Sequence, residues 1–460
     1  MTATTIETAM LALADLHGSL SDPALASMDF LNEIADRYPQ AVSFAPGRPY
    51  EGFFDLELVH GYLRRYERYL LDERGLSPQE ARRTILQYGR TKGIIHELVA
   101  RNLAVDEGIE VDPEAIVVTV GFQEAVVLVL RALRTDHQDV LLSVVPGYVG
   151  LTGAARLLDL PVRGVAGGEH GIDLADLRRA IDTARARGLR PRACYLVPDF
   201  ANPSGTTMDL PTRHALLDLA RAENLLLLED NPYGVFSADG VRLPTLKALD
   251  RHRGVVYLGS YAKTGLPGAR IGFAVADQPV AEGGLLADQL AKIKSMVTVN
   301  TPPIAQAALA GKLLEHDFSL VAANARETAV YRRNRDLVLA ALARHFPDPA
   351  GPVRWNVPGG GFFLVLDVPF TADDAAAERS ARDYGVLWTP MRHFHDAPEA
   401  ARRIRLAYSL LTPDQIEDGI SRLARFVTAY SPTHDTPQST AKPDSTAHQS
   451  TAHHQKGDRS

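Results

Sequence analysis

The sequence predicts an α/β protein: a mostly parallel sheet covered by helices on both faces, joined to a smaller α+β domain. Three observations lead there. Six short apolar runs, at 116–120, 140–145, 194–197, 225–228, 255–258 and 271–275, show no polar alternation. Strands of that kind are buried on both faces, as in parallel sheets layered between helices. Amphipathic stretches such as 210–224 separate several of the runs and supply the covering helices. Past residue 346 the pattern changes. Pro358-Gly359-Gly360-Gly361 opens a strand running to Asp367, a short strand follows at 404–408, and a final helix spans about 412–430.

The remaining elements follow in order. Residues 1 to about 30 are small, polar and acidic and read as a loose arm. Helical spacing of apolar and aromatic residues sets in at 55–71 and again at 77–86, and it resumes from about 285 to 346. Beyond Ser431 the composition turns to Ser, Thr, His, Gln and Pro, with Ser-Thr-Ala recurring at 439, 445 and 450. Such a tail cannot bury a core and is expected to be disordered.

Bulk properties narrow the class. With 460 residues the chain can hold two or three domains, and 45% hydrophobic with 23% charged residues is ordinary for a soluble enzyme. A net charge of -7 argues against a nucleic-acid partner, whose footprint is usually basic. The single cysteine, Cys194, lies in an apolar run and reads as a buried core thiol. Residues 1–20 lack a basic segment followed by an apolar one, and no run reaches the ~18 apolar residues of a membrane span. The expected compartment is the cytoplasm, with no membrane partner.

The informative polar residues follow strand ends: Gly121, Tyr148, Asn202, Asp230 and Ser260. Ligands of such sheets bind at the carboxyl ends of the strands, so one shared site is expected. Val118-Thr119-Val120-Gly121-Phe122-Gln123 turns a strand into a helix, whose first amides and dipole suit a phosphate. Asn202-Pro203-Ser204-Gly205 makes a tight turn, either as a turn only or to aim the Asn202 amide at a ligand oxygen. Glu229-Asp230-Asn231-Pro232-Tyr233 places carboxylates straight after four leucines, where a solvated cap and a cationic partner are both possible readings. A protonated pyridine nitrogen would be such a partner. Lys263 stands in Gly259-Ser260-Tyr261-Ala262-Lys263-Thr264-Gly265-Leu266-Pro267-Gly268-Ala269-Arg270. A carbonyl cofactor needs an amine of this kind for a Schiff base, and its phosphate needs a fixed cation and a hydroxyl.

Taken in order, Gly-x-Gln, Asn-Pro-x-Gly, Glu-Asp-x-Pro-Tyr and Ser-x-x-Lys-x-x-x-Pro-Gly-x-Arg resemble the class I/II aminotransferases, fold-type I enzymes dependent on pyridoxal 5′-phosphate. The resemblance runs from about Ala41 to Phe426, and the branch with aminoadipate-type and valine–pyruvate-type transaminases is most similar. It implies a large domain with a mostly parallel seven-stranded sheet over 76–310. Around it are an N-terminal arm (1–40), an N-terminal part of the small domain (41–75), a C-terminal small domain (311–430) and a tail (431–460). Lys263 then resembles the Schiff-base lysine and general base, and Asp230 the partner of the pyridinium nitrogen. By the same resemblance Tyr233 and Asn202 correspond to residues on the phenolic oxygen, with Tyr233 counted among the catalytic residues and Asn202 also among those that bind substrate. Gly121, Phe122, Gln123, Ser260 and Arg270 correspond to the phosphate cradle, and Tyr148 to the aromatic that stacks on the ring. Tyr88 resembles a tyrosine that reaches the neighbouring subunit's phosphate, which implies a homodimer with shared sites. Arg405 matches the clamp on the substrate α-carboxylate, a role for which a guanidinium fork is chemically apt. Gly47 and Arg48 lie where the family covers its substrate, and Arg48 suits a second carboxylate or a phosphate.

Three departures from the family pattern stand out. Ala262 replaces a serine beside the lysine, and Met391 replaces a glycine. Arg392 and His393 either face the pocket or belong to a solvated loop. The implied reaction moves an amino group between an α-amino acid and a 2-oxo acid. The alternative is a lyase, cyclase or β- or γ-replacement enzyme sharing the same carbanion chemistry. A transcription regulator built on this fold would carry a DNA-binding helical domain ahead of it, whereas only about 40 residues, not basic, precede Ala41.

Overall fold

The computed structural model describes residues 10–430, so 1–9 and the tail expected over 431–460 lie outside the described residues. Seven strands form the central sheet: β1 (Ile116–Val120), β2 (Asp139–Val145), β3 (Val162–Ala166), β4 (Arg190–Leu196), β5 (Leu226–Asp230), β6 (Val255–Ser260) and β7 (Ile271–Val275). Their order is β1-β7-β6-β5-β4-β2-β3. Only β7 runs against its neighbours β1 and β6; the other pairings are parallel. Six strands therefore end on the same edge, and β1, β2, β4, β5 and β6 deliver Gly121, Tyr148, Asn202, Asp230 and Ser260 there. The apolar runs do what their composition demands: Val117, Leu141, Cys194, Leu227 and Val256 are fully buried. Burial also pushes the Cys194 thiol up to about 12, leaving an inert core group.

β3 is absent from the six apolar runs. It is an edge strand, Val-Arg-Gly-Val-Ala, with only Val165 buried. A strand covered on one side needs no continuous apolar run.

The smaller sheet is antiparallel: β8 (Arg354–Trp355), β9 (Phe363–Asp367), β10 (Thr389–Pro390) and β11 (Arg403–Ala407), in the order β8-β9-β11-β10. The Ala325–His345 and Pro413–Tyr430 helices cover it, sharing one core of Val338, Leu342, Leu364, Ile404, Leu406, Ile420 and Phe426. Val42–Ser43 pairs in parallel with Val386–Leu387, and Phe44 accepts a hydrogen bond from the Ala407 amide (2.7 Å). This anchorage delivers residues 45–48 to the site.

The loose N-terminal arm is a correction. Pro23–Arg37 is a helix, capped by Asp22, whose carboxylate accepts from the Ala24 amide (2.9 Å), with Pro23 in its first turn. Ile34 is buried against Phe44 and the small-sheet core, and Asp22 pairs with Arg156 (3.1 Å) on the other side. The Asp-Pro start signal was present in the sequence; the polar flanks hid it. Among the described residues no helix is long and apolar enough to cross a membrane.

Candidate active site

Lys263 follows β6 in a tight loop, and its ammonium donates to the Gly47 carbonyl (2.6 Å). Its Nζ sits 5.8 Å from the Phe362 ring centroid and 6.0 Å from that of Tyr233. Burial lowers its pKa to about 8, helped by the positive charges of Arg405, Arg270 and Arg48 and opposed by Asp230. Desolvation and three nearby cations both disfavour an ammonium, so an appreciable share of free amine exists near neutral pH. The pH dependence has a definite sign. Capture of an aldehyde by the cofactor-free chain should rise with pH through a midpoint near 8. Arg48→Ala, which removes one repelling charge, should move that midpoint upward. A wild-type midpoint at the ordinary lysine value of 10.5 would contradict this picture of the site.

Asp230 closes β5 and is 4% exposed. Its Oδ2 accepts a hydrogen bond from the Tyr195 hydroxyl (2.6 Å), while Oδ1 is buried without a partner. Burial raises the carboxyl pKa to about 7, against the lowering effects of Tyr195 and Lys263. Glu229 points to the other face of the sheet, as strand alternation requires. It accepts from the Leu246 and Lys247 amides (2.8 Å each), so it holds the start of the short Leu246–Leu249 helix. The two acidic neighbours thus have separate tasks, and only Asp230 is left with an unmet oxygen.

A tight, glycine-dependent turn forms where β1 passes into the Gly121–Leu133 helix. Gly121 has φ +72°, and a Cβ there would meet Arg270 Nη2 at 2.5 Å. A Cβ on Gly272 would strike the Gly121 carbonyl carbon and the Phe122 nitrogen, both at 2.6 Å. Both positions need glycine because backbone and guanidinium crowd the first turn of the helix. Arg270 itself is left-handed (φ +52°), and Ser260 Oγ accepts from the Ala262 amide (3.2 Å). Gln123, in the same turn, has a buried Oε1 without a partner. Behind the turn, Glu124 accepts from the Val120 amide (2.6 Å) and pairs with buried Lys294 (2.8 Å), which fixes its angle.

Arg405, on β11, is 4% exposed. Among the described residues its hydrogen-bond partners are neutral: Asn202 Oδ1 (2.7 Å), the Ala45 carbonyl (2.7 Å) and Thr389 Oγ1 (3.3 Å). Its Nε is buried and unpartnered, and its guanidinium lies over the Phe363 and Phe394 rings at 4.5 and 4.9 Å. Burial lowers its pKa to about 10, still leaving a cation at working pH. A buried cation without a counter-ion is a receptor for an anion. By giving its oxygen to Arg405, Asn202 leaves its NH₂ free to donate elsewhere.

Tyr148 stands edge-on to Phe122, 6.0 Å between centroids, and burial pushes its hydroxyl up to about 12. Tyr233 is buried against Phe362 and Phe363, with its hydroxyl also pushed up by burial. Gly47 contributes its carbonyl to Lys263. The exposed Arg48 side chain is felt electrostatically by that amine, while its backbone carbonyl accepts from Ser409 (2.6 Å). Tyr88 stands apart, 81% exposed. Arg392 lies on the solvent-exposed side of this loop, whereas the His393 side chain is buried away from solvent. Both bind Asp374 (2.9 and 2.8 Å), and His393 also meets Ser27 Oγ (2.9 Å) and stacks on Phe30. His393 ties the Pro23–Arg37 helix to the loop after the Thr389–Pro390 strand. Met391 packs with Phe394 and Ala400. Sequence reasoning passed over Tyr195, Thr389, Phe363 and the Ala45 carbonyl, none of which carries a local signal of its contact.

The orphaned Asp230 oxygen and the glycine cradle beside Arg270 fit a phosphorylated pyridine aldehyde with Lys263 as its amine. Comparison with known proteins bears on the family. Residues 70–423 match the family model described as aminotransferase class I and II. The chain belongs to that family. It is 55% identical over 419 residues to (S)-3,5-dihydroxyphenylglycine transaminase of Amycolatopsis orientalis, covering 91% of this chain and 95% of the relative. It is 32% identical to 2-aminoadipate transaminase of Thermus thermophilus, covering 84% and 90%. Among solved structures it resembles a multiple substrate aminotransferase from Thermococcus profundus, with TM-score 0.75, 25% identity and coverage of 88% and 94%. The class I/II aminotransferase is therefore fold-type I and moves an amino group between an amino acid and a 2-oxo acid. Nothing in these likenesses favours the lyase, cyclase or replacement reading.

Proposed function

We propose that this aminotransferase binds pyridoxal 5′-phosphate through Lys263 and acts on aromatic α-amino acids of the arylglycine class, as a homodimer with shared sites. The observation that carries the cofactor assignment is the unmet Asp230 Oδ1 at the same sheet edge as a buried amine and an Arg270-lined helix start. When bound, the cofactor supplies an aldehyde for the amine and a cationic ring that withdraws electrons from the substrate carbon. The residues do the rest. Arg405 holds the substrate α-carboxylate, and Asn202 donates from its free amide. Asp230 keeps the proton on the ring nitrogen. The Lys263 amine, freed of its own proton by burial and by its cationic neighbours, takes the α-proton and returns it. Gly121, Phe122, Gln123, Ser260 and Arg270 hold the phosphate, and Tyr148 and Tyr233 confine the ring. Tyr88, exposed in one chain, suits a partner's site.

The substrate class rests on the Amycolatopsis orientalis relative, and on aromatic lining. The cleft of about 1410 Å³ that Lys263 enters is bordered by Tyr50, Phe53 and Phe54. Arg48, whose charge is felt at Lys263, is the residue for a second anionic group. A donor panel tests the reading, with formation of the amine form of the cofactor followed by absorbance. The expected result is that arylglycines convert the cofactor at least about tenfold more efficiently than 2-aminoadipate, a difference one well-fitted ring can supply. Preference for the aliphatic diacid would overturn the substrate class. Failure of every donor would overturn transamination at this site.

A further inference from the structure

Asp230 is held by a residue on a different strand. Tyr195 lies on β4, in register with Leu228 of β5, so Tyr195, Leu228 and Asp230 share one face of the sheet. The Tyr195 side chain is 1% exposed and packs among Leu228, Leu258 and Phe122. Its hydroxyl reaches Asp230 Oδ2 at 2.6 Å. A carboxylate is free to rotate about its last bond unless one oxygen is tied down. Here one oxygen is tied, and the other is buried and unmet.

We infer that Tyr195 is a positioning residue for cofactor recognition: its hydroxyl fixes the Asp230 carboxylate so that Oδ1, ionised, faces the ring nitrogen. This rests on the cofactor reading above. Burial and Asp230 itself push the Tyr195 hydroxyl well above its ordinary pKa, so it remains a donor throughout the working range. A hydrogen bond donated to a carboxylate favours the charged form. The other groups facing Asp230 are Lys263, which also favours the charged form, and the neutral phenols of Tyr148 and Tyr233. In the loaded site a cationic ring nitrogen would itself favour the charged carboxylate, and Tyr195 would hold that carboxylate in the orientation that meets it. The inference differs from a packing role in one respect: it concerns only ligands that carry a ring nitrogen.

Tyr195→Phe keeps the buried ring and removes the hydroxyl. The cofactor-free variant is titrated with pyridoxal 5′-phosphate and, separately, with the benzaldehyde analogue in which carbon replaces the ring nitrogen. Pyridoxal phosphate should bind about tenfold more weakly than to wild type, the size expected for one hydrogen bond to a charged group. The analogue should bind within about twofold of its wild-type affinity, since it presents no proton to Asp230. Equal weakening of both ligands, or of neither, would overturn the inference. A double-mutant cycle gives a second readout. In an Asp230→Asn background, adding Tyr195→Phe should leave the ratio of the two affinities unchanged; a further tenfold loss there would place the effect elsewhere. Wild-type binding through Lys263 with an unmoved ratio in Tyr195→Phe sinks only this inference. Absence of binding through Lys263 sinks the cofactor reading first.

Discussion

Lys263→Ala should lower transamination roughly 10⁴- to 10⁶-fold, the loss typical when the central residue of a catalytic set is deleted. On the proposed mechanism the substitution removes both the amine that would join the cofactor and the base that would move the α-proton, so neither task has a substitute. Lys312, the other lysine of the same cleft, is committed to the Thr264 carbonyl at 2.9 Å. The fold should survive. Lys263 is an uncomfortable cation, buried and repelled by three arginines, and it donates a hydrogen bond to the Gly47 carbonyl. Losing it relieves repulsion, so the melting temperature of the cofactor-free variant should stay within a few degrees of wild type. The absorbance band of lysine-linked cofactor should vanish. Persistence of that band, or of more than about one part in a thousand of the turnover, contradicts the assignment.

The second large effect is at Asp230. Asp230→Ala should still bind cofactor, because the cradle and Lys263 are untouched, yet lose about 10²- to 10³-fold in turnover. The cause is electrostatic. On the proposed mechanism a buried carboxylate holds the ring nitrogen's proton, and alanine offers nothing in its place. Binding measured by absorbance and turnover measured with the best donor should separate in this variant. Near-normal turnover would remove Asp230 from the mechanism.

Most of the central sheet, and the gathering of Gly121, Asn202, Asp230 and Ser260 at one of its edges, could be read from the sequence, for a physical reason. Strands buried on both faces must be continuously apolar, and a site at their ends must interrupt that pattern with Gly121, Asn202, Asp230 and Ser260. The weaker signals belong to one-sided elements. The edge strand Val162–Ala166 has a single buried residue, and the Pro23–Arg37 helix buries a narrow stripe between two larger bodies. Contacts made across the fold leave no local mark. Tyr195 reads as one more residue of an apolar strand until β4 and β5 are set side by side. Thr389 and the Ala45 carbonyl meet Arg405 only because Val42–Ser43 docks beside Val386–Leu387. His393 looks available to a pocket from its position in Met391-Arg392-His393-Phe394; its stacking on Phe30 depends on a helix more than 350 residues earlier in the chain. Tyr88 is exposed on its own chain, away from the residues gathered at the sheet edge.

The central claim is that one particular amine becomes covalently joined to the cofactor. Borohydride reduction of the loaded enzyme, followed by proteolysis and mass mapping, tests it directly. The account predicts a single phosphopyridoxyl label on the peptide carrying Tyr261-Ala262-Lys263-Thr264. A label on Lys312, on Lys294 or on no lysine would contradict it.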